Sequence, residues 1–198
     1  MTKPRTKVLL VCMVDSIHTA RFIRQFSSDQ IEFRIFPSTP NRKIHHDLKF
    51  LESDISLVGG RLSLFVWLLD LIFFGKLRQG LLRRQSRKFK PDFIHALEFQ
   101  HAAYLAEASL RRNSPRTTFI VSNFGSDIFW FQNFPRHLKR IRRVLARTDK
   151  YSAECERDVK LAKKYGFAGK TLKVFPNAGG FSEMDLEKNF LQTSARRV

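Results

Sequence analysis

Four short polar clusters hold most of the residues able to do chemistry. Asp15-Ser-Ile-His18 follows seven apolar residues at 8–14, and Arg21 comes just after it. Glu98, Gln100 and His101 form the second cluster, and Asn123-Phe-Gly-Ser-Asp127 the third. The fourth is Pro176-Asn-Ala-Gly-Gly180. Carboxylates and imidazoles move protons near neutral pH, while hydroxyls and amides orient a substrate. Ser16 precedes a helical pattern as an N-cap and can offer its hydroxyl and N–H to a phosphate or sugar oxygen. His18 then falls in the first helical turn, placed to contact a hydroxyl or act as a weak base. Asp127 can orient a hydroxyl or accept its proton, in a loop that Gly125 lets come close. Asn123 and Ser126 read as loop hydrogen-bonders. His95 falls inside a strand pattern and reads as a satisfied core histidine.

Several chemistries are excluded. The first apolar run is followed by no glycine before Gly59, so the backbone cannot approach a pyrophosphate as dinucleotide-binding enzymes require. Gly166-Phe-Ala-Gly-Lys-Thr171 ends like a phosphate loop, but Lys164 stands where the loop's first glycine belongs. His45-His46 are adjacent and no third ligand is apparent, so no metal is expected and no cofactor is implied. Cys12 and Cys155 are far apart and belong to no metal-type pair, which fits a reduced, cytoplasmic setting.

The elements that must position these clusters alternate. Strand patterns fall at 8–14, 31–36, 54–58, 93–96, 117–122, 150–152 and 172–175. Helical patterns fall at 17–26, 62–89 (with Gly75 and Gly80 as possible breaks), 100–112, 136–147 and 154–165. The first strand is apolar at every residue, as a parallel strand covered on both faces is. Regular βα alternation predicts an α/β fold, a Rossmann-like doubly wound parallel sheet. Ligands of such sheets sit at the strands' carboxyl ends, where all four clusters fall.

The 198 residues carry 36 Lys and Arg against 18 Asp and Glu, a net charge of +18. Residues 76–90 hold seven bases and no acid, and 136–147 hold six and no acid. Arg83, Arg84, Arg87, Lys88, Lys139, Arg140 and Arg143 are the candidates for an anionic surface. The run at 62–74 is too short to span a bilayer but apolar nearly all round. These features predict peripheral binding to an anionic membrane.

Four segments resemble the N-terminal domain of glycosyltransferase family 4, the group 1 transferases. They are Pro91-Asp-Phe-Ile-His95, Phe124-Gly-Ser-Asp-Ile128, Tyr151-Ser-Ala-Glu-Cys-Glu-Arg-Asp158, and Gly166-Phe through Phe175-Pro-Asn-Ala-Gly-Gly180. The resemblance covers nearly the whole chain and implies the N-terminal half of a GT-B architecture. Residues 1–182 would form the acceptor-side domain, and 183–198 a linker or the start of a donor-binding domain. It implies His18 and Asp127 as catalytic groups. Ser16, Arg21, Glu98, Gln100, His101, Asn123, Gly125 and Ser126 would contact substrate, with Asn177 near the domain crossing. The partners implied are a nucleotide-sugar donor held by a C-terminal domain outside this chain and a glycan or lipid-linked acceptor. The expected role is cell-surface polysaccharide synthesis at the inner face of the membrane, with this chain inactive alone. There are departures. Phe124 replaces the family's frequent His, and Ala178-Gly-Gly180 lacks the aspartate usual there. Two other readings compete: a basic nucleic-acid-binding α/β domain, for which no recognised motif is present, and a non-catalytic partner subunit of a split transferase.

Overall fold

The computed structural model describes residues 5–26, 30–39, 44–49, 55, 60–110 and 117–175. Six strands form one sheet: β1 (Thr6–Cys12), β2 (Ile31–Pro37), β3 (Phe93–Leu97), β4 (Thr118–Ser122), β5 (Lys150–Ser152) and β6 (Lys170–Thr171). Their order is β2-β1-β3-β4-β5-β6, and every neighbouring pair is parallel. Ile55 bridges Ile35 on the outer side of β2. The rest of the expected strand at 54–58 lies outside the described residues, as do 176–198. The α/β doubly wound reading holds.

Side chains of a strand alternate between faces, and β1 shows what that does here. Leu9 and Val11 enter a core with Ile94, Ala96, Phe119, Val121 and Tyr151. That face is covered by α3 (Lys76–Phe89), α4 (Tyr104–Ser109), α6 (Pro135–Leu145) and α7 (Glu156–Lys164). Leu10 and Cys12 point the other way, against Ala20, Phe22 and Ile23 of α1 (Ile17–Arg24). Cys12 is fully buried, and burial pushes its thiol pKa up. Truncating a side chain such as Leu9 to Ala would cost about 2–5 kcal/mol.

Local chemistry explains the departures from the expected elements. The helix expected at 62–89 is two, α2 (Gly60–Ile72) and α3. Gly75 adopts φ 81° between them, whereas α3 runs through exposed Gly80 unbroken. The helix expected at 100–112 opens as a π-helical turn, Phe99–Ala103, and ends at Ser109. A short helix, α5 (Asp127–Phe131), stands where a loop was expected. The last strand is 170–171 instead of 172–175, although Leu172 N–H still donates to Tyr151 O at 2.8 Å.

Gly169 marks the tightest approach in the sheet edge. A Cβ there would sit 2.6 Å from the Thr148 carbonyl oxygen and closer still to that of Asp149. Both are backbone atoms and neither can swing away. Gly169→Ala is therefore expected to destabilise the fold by about 1–3 kcal/mol in urea denaturation, and an unchanged midpoint would show that the edge yields.

Candidate functional site

The chain leaves β1 toward β2 on one side and leaves β3 toward β4 on the other. A crevice opens at the carboxyl ends of the strands where winding reverses in this way. Here it is a cleft of about 520 Å³. Ser16, His18, Glu98, Gln100, His101, Gly125, Ser126 and Asp127 all line it. One topological feature thus gathers residues from three separate strand exits.

Asp127 is the centre of the arrangement. Its Oδ2 accepts N–H bonds from Phe99 and from Phe124, each at 3.1 Å. Its own carbonyl accepts from Gln100 Nε2 at 2.9 Å. Burial pushes its carboxyl up to about 7; the nearby Glu98 charge adds to the rise, and the two N–H bonds oppose it. Glu98 has φ 80° and ψ 159°, a region that costs a non-glycine residue about 1–3 kcal/mol. That conformation turns its carboxylate onto the N–H groups of His101 (3.0 Å) and Ala102, capping the π-helical turn. Burial raises the Glu98 pKa as well.

The walls are mixed. Ser16 caps α1 by accepting from His18 N–H at 3.2 Å. The His18 ring lies 6.3 Å from that of Phe124, and Met13, Leu97, Phe124 and Phe131 supply apolar surface. Glu154 was missed by sequence reading. It lines the cleft and accepts the Gly125 N–H at 2.9 Å. It follows β5 as the other site residues follow their strands, so the same carboxyl-end rule could have found it.

Other expected residues stand elsewhere. Asn123 is fully buried and gives its amide to Asp158 Oδ2 at 3.0 Å, so it braces the loop from behind and does not face the cleft. Buried Asp158 also pairs with Arg157 at 2.8 Å. Arg21 is half-buried on α1 and is not among the lining residues. Asn177 lies outside the described residues. His95 is set in the sheet, with its Nε2 2.8 Å from Ser122 Oγ; burial holds its pKa at about 4 and so keeps it neutral. Asp47 adds a third ligand-type group beside His45 and His46, their ligand atoms all within 4.8 Å. Its carboxylate is already paired with Arg24 at 2.9 Å.

The anion-facing set also changes. Arg83 Nε donates to the Ser109 carbonyl at 3.1 Å, and Arg143 pairs with Glu107 at 3.0 Å. Arg140 is exposed and stacked over Tyr104 at 4.1 Å. Arg84, Arg87, Lys88 and Lys139 are exposed.

A parallel sheet with its cleft at the winding reversal defines a Rossmann-like domain of the kind that GT-B proteins pair. The glycosyl transferase 4-like family matches residues 7–153, and the chain belongs to that family. A similar solved structure is the crystal structure of UDP-N-acetylglucosamine 2-epimerase, with TM-score 0.53 and 12% identity over 81% of this chain. The match takes in 45% of that protein, so this chain spans about half its length. At such identity the likeness is one of fold, that of the N-terminal GT-B domain. No curated protein matches the sequence.

The raised Asp127 pKa makes a stability prediction. Between about pH 4 and pH 7 the folded chain holds a proton on Asp127 that the unfolded chain releases. This contribution to stability is present below the unfolded value and is lost as pH rises through about 7. Asp127→Asn removes it. The variant should therefore gain on the native chain as pH rises through that window, by up to about 4 kcal/mol at 1.36 kcal/mol per pKa unit. Thermal melts of both across the range check this, and parallel pH profiles would show that Asp127 ionises freely.

Proposed function

We propose that this domain binds the acceptor of a sugar-transfer reaction, with the acceptor hydroxyl set against Asp127. The supporting observation is the meeting of Glu98, Asp127 and Glu154 in one cleft of a chain whose net charge is +18. Carboxylates accept hydrogen bonds from sugar hydroxyls, and like charge repels a diphosphate. The cleft therefore suits a neutral polyhydroxyl acceptor, glycan or lipid-linked. The nucleotide-sugar is gripped by residues beyond this domain, where its leaving diphosphate finds the stabilisation that dominates such catalysis.

In this reading the acceptor oxygen attacks the anomeric carbon of the donor. Its proton passes to the Asp127 carboxylate, and the nucleoside diphosphate leaves. A carboxyl pKa near 7 suits that transfer at neutral pH. His18 and His101 contact hydroxyls at the rim, and Ser16 offers its hydroxyl at the start of α1. Cell-surface polysaccharide synthesis is the role that this reading gives to such an acceptor.

Two measurements test the reading. With the donor-holding half joined to this chain, Asp127→Asn, whose amide oxygen can still accept the Phe99 and Phe124 N–H bonds, and His18→Ala should each lower transfer by about 10²-fold or more while both variants stay folded. Near-native rates in both would remove them from the site. This chain alone should bind no UDP- or GDP-sugar at micromolar concentration in calorimetry. Micromolar affinity would place the donor in this cleft and overturn the acceptor assignment.

A further inference from the structure

Among the described residues, the α2–α3 hairpin presents a broad exposed apolar surface. Phe65, Leu68, Leu71, Ile72, Phe73 and Phe74 are all exposed, and Phe74 at the tip is 90% exposed. Monomeric soluble surfaces seldom gather so many large apolar side chains, and such patches mark binding sites. The turn is firmly built. Gly75 N–H donates to the Asp70 carbonyl at 2.8 Å, and the buried Asp70 carboxylate accepts the Arg78 N–H at 2.9 Å. Arg78 in turn donates to the carbonyl of Pro37 and lies over the Phe36 ring. These bonds close the turn and tie it to the end of β2, while Phe74 at the tip stays exposed.

Pro37 ends β2, so the bond from Arg78 fixes the tip at the carboxyl edge of the sheet, the edge that carries the cleft. Chain direction agrees: α3 runs from the tip back toward the start of β3, antiparallel to the strands. The exposed face of α3 is basic along its length, with Lys76 beside the tip and Arg84, Arg87 and Lys88 about 12–18 Å further along the helix. No described helix is long and apolar enough to cross a membrane, and α2 has only 13 residues.

We infer that the α2–α3 hairpin is a membrane-docking wedge. Its apolar tip and the exposed α2 stripe of Phe65, Leu68, Leu71 and Ile72 lie in the headgroup boundary of an anionic bilayer, and the α3 bases along the same hairpin pair with lipid phosphates. The cleft is thereby held at the bilayer surface, within reach of a lipid-linked acceptor. Charge selects this occupant. A second copy would bring another +18 against the first, whereas an anionic surface complements both the apolar tip and the basic series. Interfacial segments of this kind bury their apolar face about 5–10 Å deep while their bases stay among the headgroups. The docking surface does not depend on the transfer reading, because none of its residues lines the cleft. Only the lipid-linked acceptor rests on that reading.

Co-sedimentation of the chain with vesicles tests the inference. Vesicles containing phosphatidylglycerol should bind it, and phosphatidylcholine vesicles should bind at least about tenfold less. Salt at about 1 M, where the Debye length is about 3 Å, should weaken the binding. Phe73→Ser with Phe74→Ser, both on exposed positions, should lose about tenfold or more. Reversing Arg84, Arg87 and Lys88 to Glu should lose about 100-fold, from about fivefold for each basic contact. Full vesicle binding by the Phe73/Phe74 double variant would overturn the wedge, as would equal binding to neutral lipid. A dimer in size-exclusion chromatography that the same double variant dissolves would assign the patch to a second copy instead.

Discussion

One carboxylate oxygen ties the cleft together. Asp127 Oδ2 accepts the Phe99 N–H from the segment after β3 and the Phe124 N–H from the segment after β4. Both groups emerge where strand pairing ends, and an unpaired buried N–H costs about 1–3 kcal/mol. Asp127 satisfies the two at once and so fixes how far apart the two exits stand. Glu98 does the same one segment earlier, satisfying His101 and Ala102 from a backbone conformation that non-glycine residues seldom adopt. The acid groups that shape the crevice are the acid groups it presents.

The electrostatics divide the molecule. Its body is strongly basic, yet the cleft is lined by three acids. Burial inside the domain is what raises the carboxyl pKa values of Asp127 and Glu98, more than any charge nearby. A group so placed can hold or release a proton near neutral pH. Many basic side chains instead lie outside on α3 and α6, exposed to solvent. Bulk charge alone does not show this division; the folded arrangement puts bases on the exterior and acids in the cleft.

Much of this was legible in the sequence, for identifiable reasons. The unbroken apolar run at 8–14 reads as a doubly covered strand, and β1 (Thr6–Cys12) takes up most of it. The carboxyl-end rule groups Ser16, His18, Glu98, Gln100, His101, Gly125, Ser126 and Asp127 from sequence, and all eight line the cleft. What was not legible depends on side chains meeting backbone. The π-helical turn exists because Glu98 caps it, which no apolar period records. Asn123 has the composition of a ligand contact but turns inward to Asp158, a residue 35 positions away. Gly75 and Gly80 look equivalent in sequence, yet only Gly75 lies where Asp70 closes the turn. Arg83 and Arg143 read as free cations until Ser109 and Glu107 are brought beside them.

The central claim is that folding converts an ordinary aspartate into a carboxyl group poised at neutral pH, at a crevice set by the winding of the sheet. Carbon-13 NMR titration of the Asp127 side-chain carboxyl in the intact chain measures this directly. The account predicts a midpoint near 7, moved from the ordinary 3.8 by burial between the β3 and β4 exits. A midpoint near 4 would mean that water reaches the carboxylate freely, and it would contradict both the burial of Asp127 and the role given to it.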